Sequence, residues 1–158
     1  MSIRRAVDAD LPRLLELFAQ VDELHREALP WLFRKLEEPR SREVSRFIHG
    51  SDCATFVAAE LESPVLGFVV VQVREVVKAP IVRPARVAEI DNLVVDRAAR
   101  RRGIGRSLVE AALAWSHEAR AERTELGVYE FNDEGRQFWE AMGFETAFRR
   151  MARQNEPR

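Results

Sequence analysis

A chain of 158 residues with 46% hydrophobic content has room for one domain, here expected to span residues 1–158. At that size about two-thirds of the unfolded surface can be buried without a metal or disulfide staple. The net charge of −1 argues against a general attraction to nucleic acid or to anionic membranes. A lone cysteine, Cys53, rules out an internal disulfide framework and suits a reducing cytosol. The start at Met1-Ser2-Ile3-Arg4 lacks an apolar signal core, and no apolar run is long enough to span a bilayer. A cytoplasmic location is therefore expected.

Strand and helix patterns then alternate along the chain. Ile3 to Val7 reads as a short edge strand. Asp8-Ala9-Asp10 can cap a helix with Pro12 in its first turn, and Leu14, Phe18 and Val21 continue it to about Glu27. Pro30 and Pro39 bracket an irregular stretch. Ser41 reads as the N-cap of a second helix carrying Val44, Phe47 and Ile48, with Gly50 ending it. Ala54–Leu61 and Leu66–Val77, joined through Ser63-Pro64, read as an antiparallel hairpin. Ala79–Pro84 reads as a loop, and Arg86–Val95 as a third long strand. A long amphipathic helix starts near Gly103. Thr124–Tyr129 reads as a strand, Asn132 as the cap of a helix ended by Gly143, and Phe144–Met151 as a closing strand.

The most informative junction follows the Arg86–Val95 strand. A strand, then Arg100-Arg101-Arg102-Gly103-Ile104-Gly105, then a helix is an anion-binding arrangement. Glycine permits positive φ and close backbone approach. Successive amides can line one concavity, and the helix start adds unpaired N–H donors. Arg106 adds further charge. The run is not a P-loop, because no lysine follows the glycines, and it carries only two of the three glycines of a dinucleotide fingerprint. Taken alone, these residues also fit a solvated basic turn. A nucleic-acid patch fits less well, given the neutral charge and the lack of interleaved aromatics.

The stretch from Glu89 to Gly105 resembles motif A of the GCN5-related N-acetyltransferases, with Leu93-Val94-Val95 as the strand end and Arg100 to Gly105 as the turn. The segment with Leu126 to Tyr129, Asn132, Phe138-Trp139 and Gly143-Phe144 resembles motif B of the same family. The resemblance implies an α+β fold: a mixed, mostly antiparallel sheet, splayed at its centre, with helices on both faces. It implies acetyl-CoA as co-substrate and no metal. The pantetheine arm would lie along Leu93, Val94 and Val95, with the Val95 N–H as donor to the thioester oxygen. The pyrophosphate would sit on the amides of Arg101, Arg102, Gly103, Ile104, Gly105 and Arg106, beside Arg100. Asn132, Phe138 and Trp139 would complete the cofactor site. Homodimers are frequent in the family.

The reaction implied is attack of a primary amine, small-molecule or peptide, on the thioester. An alkyl amine near pKa ~10.4 is almost wholly protonated at neutral pH, so the enzyme must remove a proton, by a base or a water relay, or lower the amine's pKa by desolvation. Glu89 is the first candidate, matching a catalytic Glu of histone-acetyltransferase-like members. Asp91 is the second, placed by alternation on the same strand face, while Asn92 is expected on the other. Trp139 stands where many members have a Tyr general acid, and indole N–H is not a usable acid. Tyr129, the only tyrosine, is the substitute candidate at the end of its strand. That departure also admits a second reading, an acyl-CoA-binding sensor without turnover. His25 and Phe33, after the first helix, are candidates for the acceptor side. The three histidines and Cys53 show no metal spacing.

Overall fold

The β-branched run Gly67-Phe68-Val69-Val70-Val71 makes the central strand because both its faces are covered. In the computed structural model, which describes residues 1–61, 63–77 and 80–155, this strand is flanked on both sides in a five-stranded sheet of order β1-β2-β3-β4-β5. The strands are β1 Ser2–Arg5, β2 Cys53–Ala59, β3 Gly67–Val76, β4 Ala85–Val95 and β5 Arg123–Leu126. Neighbours run antiparallel except β4 and β5, which are parallel, so the sheet is mixed and does not close. The helices are α1 Leu11–Ala28, α2 Ser41–His49, α3 Ile104–Glu118 and α4 Asp133–Ala141. The chain divides into two units, Met1–Gly127 and Val128–Arg158. The first holds the sheet with α1 to α3, and the second holds α4.

Phe68 and Val70 point to one face of β3, where they pack with Leu14, Phe18, Val44 and Phe47 of α1 and α2. Phe18 lies 4.6 Å from the Phe68 ring. Val69 and Val71, on the opposite face, are fully buried. That face is covered by α3, which packs on β2, β3 and β4 through Leu108, Val109 and Ala112. α1 begins as its sequence suggests, with Pro12 in the first turn. Asp10 accepts from the Val7 N–H at 2.9 Å and from Arg4 at 2.7 and 2.8 Å. The Arg4 guanidinium thereby holds the Asp10 carboxyl below its ordinary pKa.

Three expectations change. Arg40, not Ser41, is the N-cap of α2, and no side chain caps that end. Gly50 ends α2 in extended geometry rather than at positive φ. A Cβ there would lie 2.5 Å from the Cys53 Sγ and 2.9 Å from the Arg46 carbonyl, so close approach, not chain reversal, requires the glycine. Phe144–Met151 forms no strand among the described residues. A strand needs a partner for its backbone hydrogen bonds, and residues 145–151 are exposed throughout. Of the predicted Ala79–Pro84 loop, Ala79 lies outside the described residues, and 80–82 form a turn and bend. Among the described residues no helix is long and apolar enough to cross a membrane.

Buried Thr55 ties the end of α2 to β2, its hydroxyl donating to the Phe47 carbonyl at 2.7 Å. Replacing it by the near-isosteric valine removes that bond and leaves the carbonyl only the weak Cys53 thiol donor at 3.6 Å. Thr55→Val is expected to lower unfolding free energy in urea by about 1–3 kcal/mol with an unchanged m-value.

Candidate active site

The ladder between β3 and β4 shifts register in the middle. Val71 pairs with Ile90 and Val70 pairs with Asn92, so Asp91 is an extra residue, a β-bulge. The bulge resets the alternation. Glu89 pairs with Gln72 and Asn92 with Val70, so both lie on the face toward α1 and α2. The expectation that Asn92 points away from Glu89 is thus corrected: simple alternation holds only in an unbulged strand. Asn92 Nδ2 donates to Asp91 Oδ2 at 2.6 Å.

The bulge also marks where β5 leaves β4. Their pairing covers Val87–Ile90 against Arg123–Leu126 and goes no further. From Asp91 to Val95, β4 is paired on the β3 side alone among the described residues. The Asp96 N–H donates to the Leu66 carbonyl at 2.8 Å. Amides alternate in direction along a strand, so the Val94 N–H faces β3 while those of Leu93 and Val95 face the open side.

The turn after β4 carries two residues with positive φ, Arg101 at 63° and Gly103 at 78°. Arginine in this region is uncommon. A Cβ on Gly103 would meet no atom within 4 Å, so the space over the turn is open. No side chain caps α3 at Gly103, and the first-turn amides at Ile104, Gly105 and Arg106 are left to whatever binds there. Arg100 Nε reaches back to the Val95 carbonyl at 3.4 Å. Arg102 pairs with Glu60 at the end of β2, at 2.5 Å. Asp96 caps the short 3-10 turn Arg97–Ala99 by accepting from Ala98, and forms an ion pair with Arg13. The turn is therefore tied to the sheet and to α1 on its flanks, with its upper face clear. These residues fit a diphosphate.

The two candidate carboxylates differ. Glu89 accepts from Arg74 Nε at 2.9 Å, and Arg74 also reaches Glu125 of β5 at 3.5 Å. Asp91 has no cation paired to it among the described residues. Although the Asp91 residue is exposed to solvent, partial desolvation raises its pKa above the ordinary value, and the charges of Glu89 and Glu43 add to the rise. The Asn92 amide and the charge of Arg40 oppose it. Arg40 bridges Asp22 at 2.6 Å and Glu43 at 3.7 Å, with its guanidinium 4.4 Å from the Phe18 ring centre. His25 and Phe33 come together, stacked at 5.0 Å with planes 17° apart. Burial lowers the His25 pKa and favours its neutral form.

In the second unit, Asn132 caps α4 by accepting from the Gly135 N–H at 2.9 Å. Phe138 and Trp139 meet edge-on at 5.0 Å, and Trp139 meets Phe144 at 5.4 Å. Tyr129 is not on a strand, because β5 stops at Leu126; it stacks on Phe131 at 5.8 Å. Among the described residues no group of three or more His, Cys, Asp or Glu could hold a metal. Sequence reasoning missed Arg74 and Arg40, whose partners are distant in sequence. It undervalued Asn92, and adjacent Asp and Asn inside an apolar strand were the available sign of a bulge.

The acetyltransferase (GNAT) family model matches residues 18–144. The chain belongs to the GNAT family of acetyltransferases. No curated protein sequence matches it significantly. This acetyltransferase aligns with a tetramutant of the BH1408 protein from Bacillus halodurans with a TM-score of 0.91 at 24% identity, covering 98% of this chain and 100% of that one. It aligns with the aminoglycoside N-acetyltransferase AAC(6')-Iy in complex with CoA at a TM-score of 0.74 and 16% identity, over 99% and 100% of the two chains. The aminoglycoside acetyltransferase meta-AAC0020 from an uncultured soil metagenomic sample, in complex with sisomicin, aligns at 0.68 and 20% identity, over 98% and 96%. At these identities the likeness is one of fold.

Partial desolvation and the nearby charges of Glu89 and Glu43 make a charged Asp91 cost the fold a little stability, damped by its exposure to solvent. The sign follows from the raised pKa: the cost is full above the folded-state value and vanishes below the unfolded one. Asp91→Asn is therefore expected to raise the thermal midpoint at pH 7 by roughly 1–2 °C. The gain should disappear as the pH falls toward the ordinary aspartate range, as followed by calorimetry.

Proposed function

We propose that this chain is an acetyl-CoA-dependent N-acetyltransferase, working as one domain over residues 1–158. It transfers the acetyl group to a primary amine, on a small molecule or a peptide, by direct attack in a ternary complex. The observation that carries this reading is the open edge of β4 from Asp91 to Val95, continuous with the Arg101–Arg106 turn. An extended pantetheine arm can pair with such an edge as an added strand would. The family match supports acetyl transfer, and its span across Gly127 supports one domain. The CoA bound to AAC(6')-Iy and the sisomicin bound to meta-AAC0020 support the cofactor and an amine acceptor.

In this reading the amine nitrogen attacks the thioester carbonyl and its proton passes to a carboxylate. The oxygen, as it gains charge, accepts from the Val95 N–H, a preorganised donor. The carbon–sulfur bond then breaks. The departing thiol, near pKa ~8.5 when free, leaves as thiolate or takes a proton from Tyr129. Asp91 is the better base. Its carboxyl is raised toward the working pH and is not paired to a cation, whereas Glu89 is held by Arg74. The binding-only alternative draws on Trp139 in place of the acid tyrosine.

Steady-state assays of CoA release test the assignment. Asp91→Asn is expected to lower kcat/KM by ~10²-fold or more, and Glu89→Gln by less than ~10-fold. The reverse order would move the base to Glu89. Tight acetyl-CoA binding with no turnover over a broad amine panel would favour the sensor.

A further inference from the structure

Strand β5 is a short edge, paired with β4 alone over four rungs among the described residues. Its two ends are held differently. Just before Arg123, the Glu122 N–H donates to the Arg86 carbonyl at 2.8 Å, and Arg86 Nε donates to the Ala119 carbonyl at 2.8 Å. Past the other end, Gly127 makes no backbone hydrogen bond among the described residues. A Cβ on Gly127 would meet no atom within 4 Å, so the space beside it is open. Leu126, opposite Ile90, is the last rung before the two strands part.

The rung before it sets two like charges side by side. Glu89 pairs with Glu125, and paired residues on neighbouring strands share a face. Carboxylates so placed push the strands apart. Arg74, on β3, touches both: its Nε lies 2.9 Å from Glu89 and an Nη lies 3.5 Å from Glu125. Its planar fork reaches two carboxylates at once, which a lysine ammonium cannot do from the same stem. Arg123 adds a second cation to Glu125 at 2.6 Å, but from within β5, so that contact does not join the two strands. Isolated surface ion pairs contribute little. The Arg74 bridge instead lies across a two-charge rung, at the untied end of a four-residue strand.

We propose that Arg74 is a positioning residue: by clasping Glu89 of β4 to Glu125 of β5, it holds β5 in register as far as Leu126 and so fixes where the open edge of β4 begins. Without it, β5 frays from Leu126 back toward the end held by Arg86, and the open edge lengthens past Asp91 toward Val87. That the edge takes an acyl-CoA arm rests on the N-acetyltransferase reading; the clasp itself does not. Within that reading, Arg74 sets the closed end of the slot and acts on the cofactor only through β5.

Amide exchange of the full chain, read residue by residue without cofactor, tests the clasp. In Arg74→Met the protected β5 amides should exchange ~3–5-fold faster, with the largest change toward Leu126 and the smallest toward Arg123. Arg74→Met/Glu125→Gln, which removes the like-charge rung, should return them to within ~2-fold of wild type. No change in Arg74→Met, an equal change along the whole strand, or no recovery in the double variant overturns the proposal. If Arg74→Met does not fold, Arg74→Lys takes its place, with ~2-fold faster exchange expected and wild-type exchange overturning the clasp. Acetyl-CoA at about 100 times its Kd, set by calorimetry, should slow the β5 amides at least ~10-fold in the wild type and in Arg74→Met. Slowing at Leu93 and Val95 with none in β5 would remove β5 and Arg74 from the slot. Acetyl-CoA that does not bind the wild type at all defeats the transferase reading, and the cofactor-free exchange still decides the clasp.

Discussion

A single extra residue in β4 sets the geometry on which the candidate site depends. Because Asp91 has no partner of its own on β3, the strand is divided at that point into two stretches with different surroundings. Ala85–Ile90 is flanked by β3 and, from Val87, by β5. Asn92–Val95 is flanked by β3 alone among the described residues. Backbone amides that would otherwise be ladder donors at Leu93 and Val95 are turned toward an open slot. An unpaired edge inside a sheet is a liability unless something fills it, and in the proposed function an extended acyl-CoA arm would fill it with matching hydrogen bonds.

The same bulge brings the chemistry to one face. It places Asn92 beside Asp91 and on the side of Glu89, under α1 and α2. The surrounding ion pairs then separate two carboxylates of similar type. Arg74 engages Glu89, while Asp91 is left with a neutral partner and a raised pKa. In the proposed mechanism that separation makes Asp91 the base, in the way paired titratable groups commonly divide roles. The proposed anion site on the far side of Val95 is built differently, from positive φ at Arg101 and Gly103 and an uncapped helix start. Here the backbone supplies the donors, and the arginines are partly committed to structure, as the Arg102–Glu60 pair shows.

Much of this was legible in the sequence. The strand–turn–helix signature from Glu89 to Gly105, the Pro12 helix start, the Asn132 cap and the Gly143 stop are local patterns, and local patterns survive folding. The failures were of two kinds. Periodicity could not reveal the bulge, since alternation on either side of Asp91 looks regular, so Asn92 was assigned to the wrong face. Strand ends that depend on partners distant in sequence were also misplaced. Thr124–Tyr129 stops at Leu126, and Phe144–Met151 is not a strand, although both have suitable residues. The Arg74–Glu89 and Arg40–Asp22 pairs join residues from different elements, and nothing in the local sequence announces them.

We propose the β4 edge beyond Asp91 as the acyl-CoA slot. Amide hydrogen exchange at Leu93 and Val95, read residue by residue with and without acetyl-CoA, tests it most directly. Both amides should exchange fast in the free protein, with Val94 slower through its β3 partner, and exchange at Leu93 and Val95 should slow strongly when acetyl-CoA is added. Slow exchange at both without cofactor, or exchange that acetyl-CoA leaves unchanged, would contradict it.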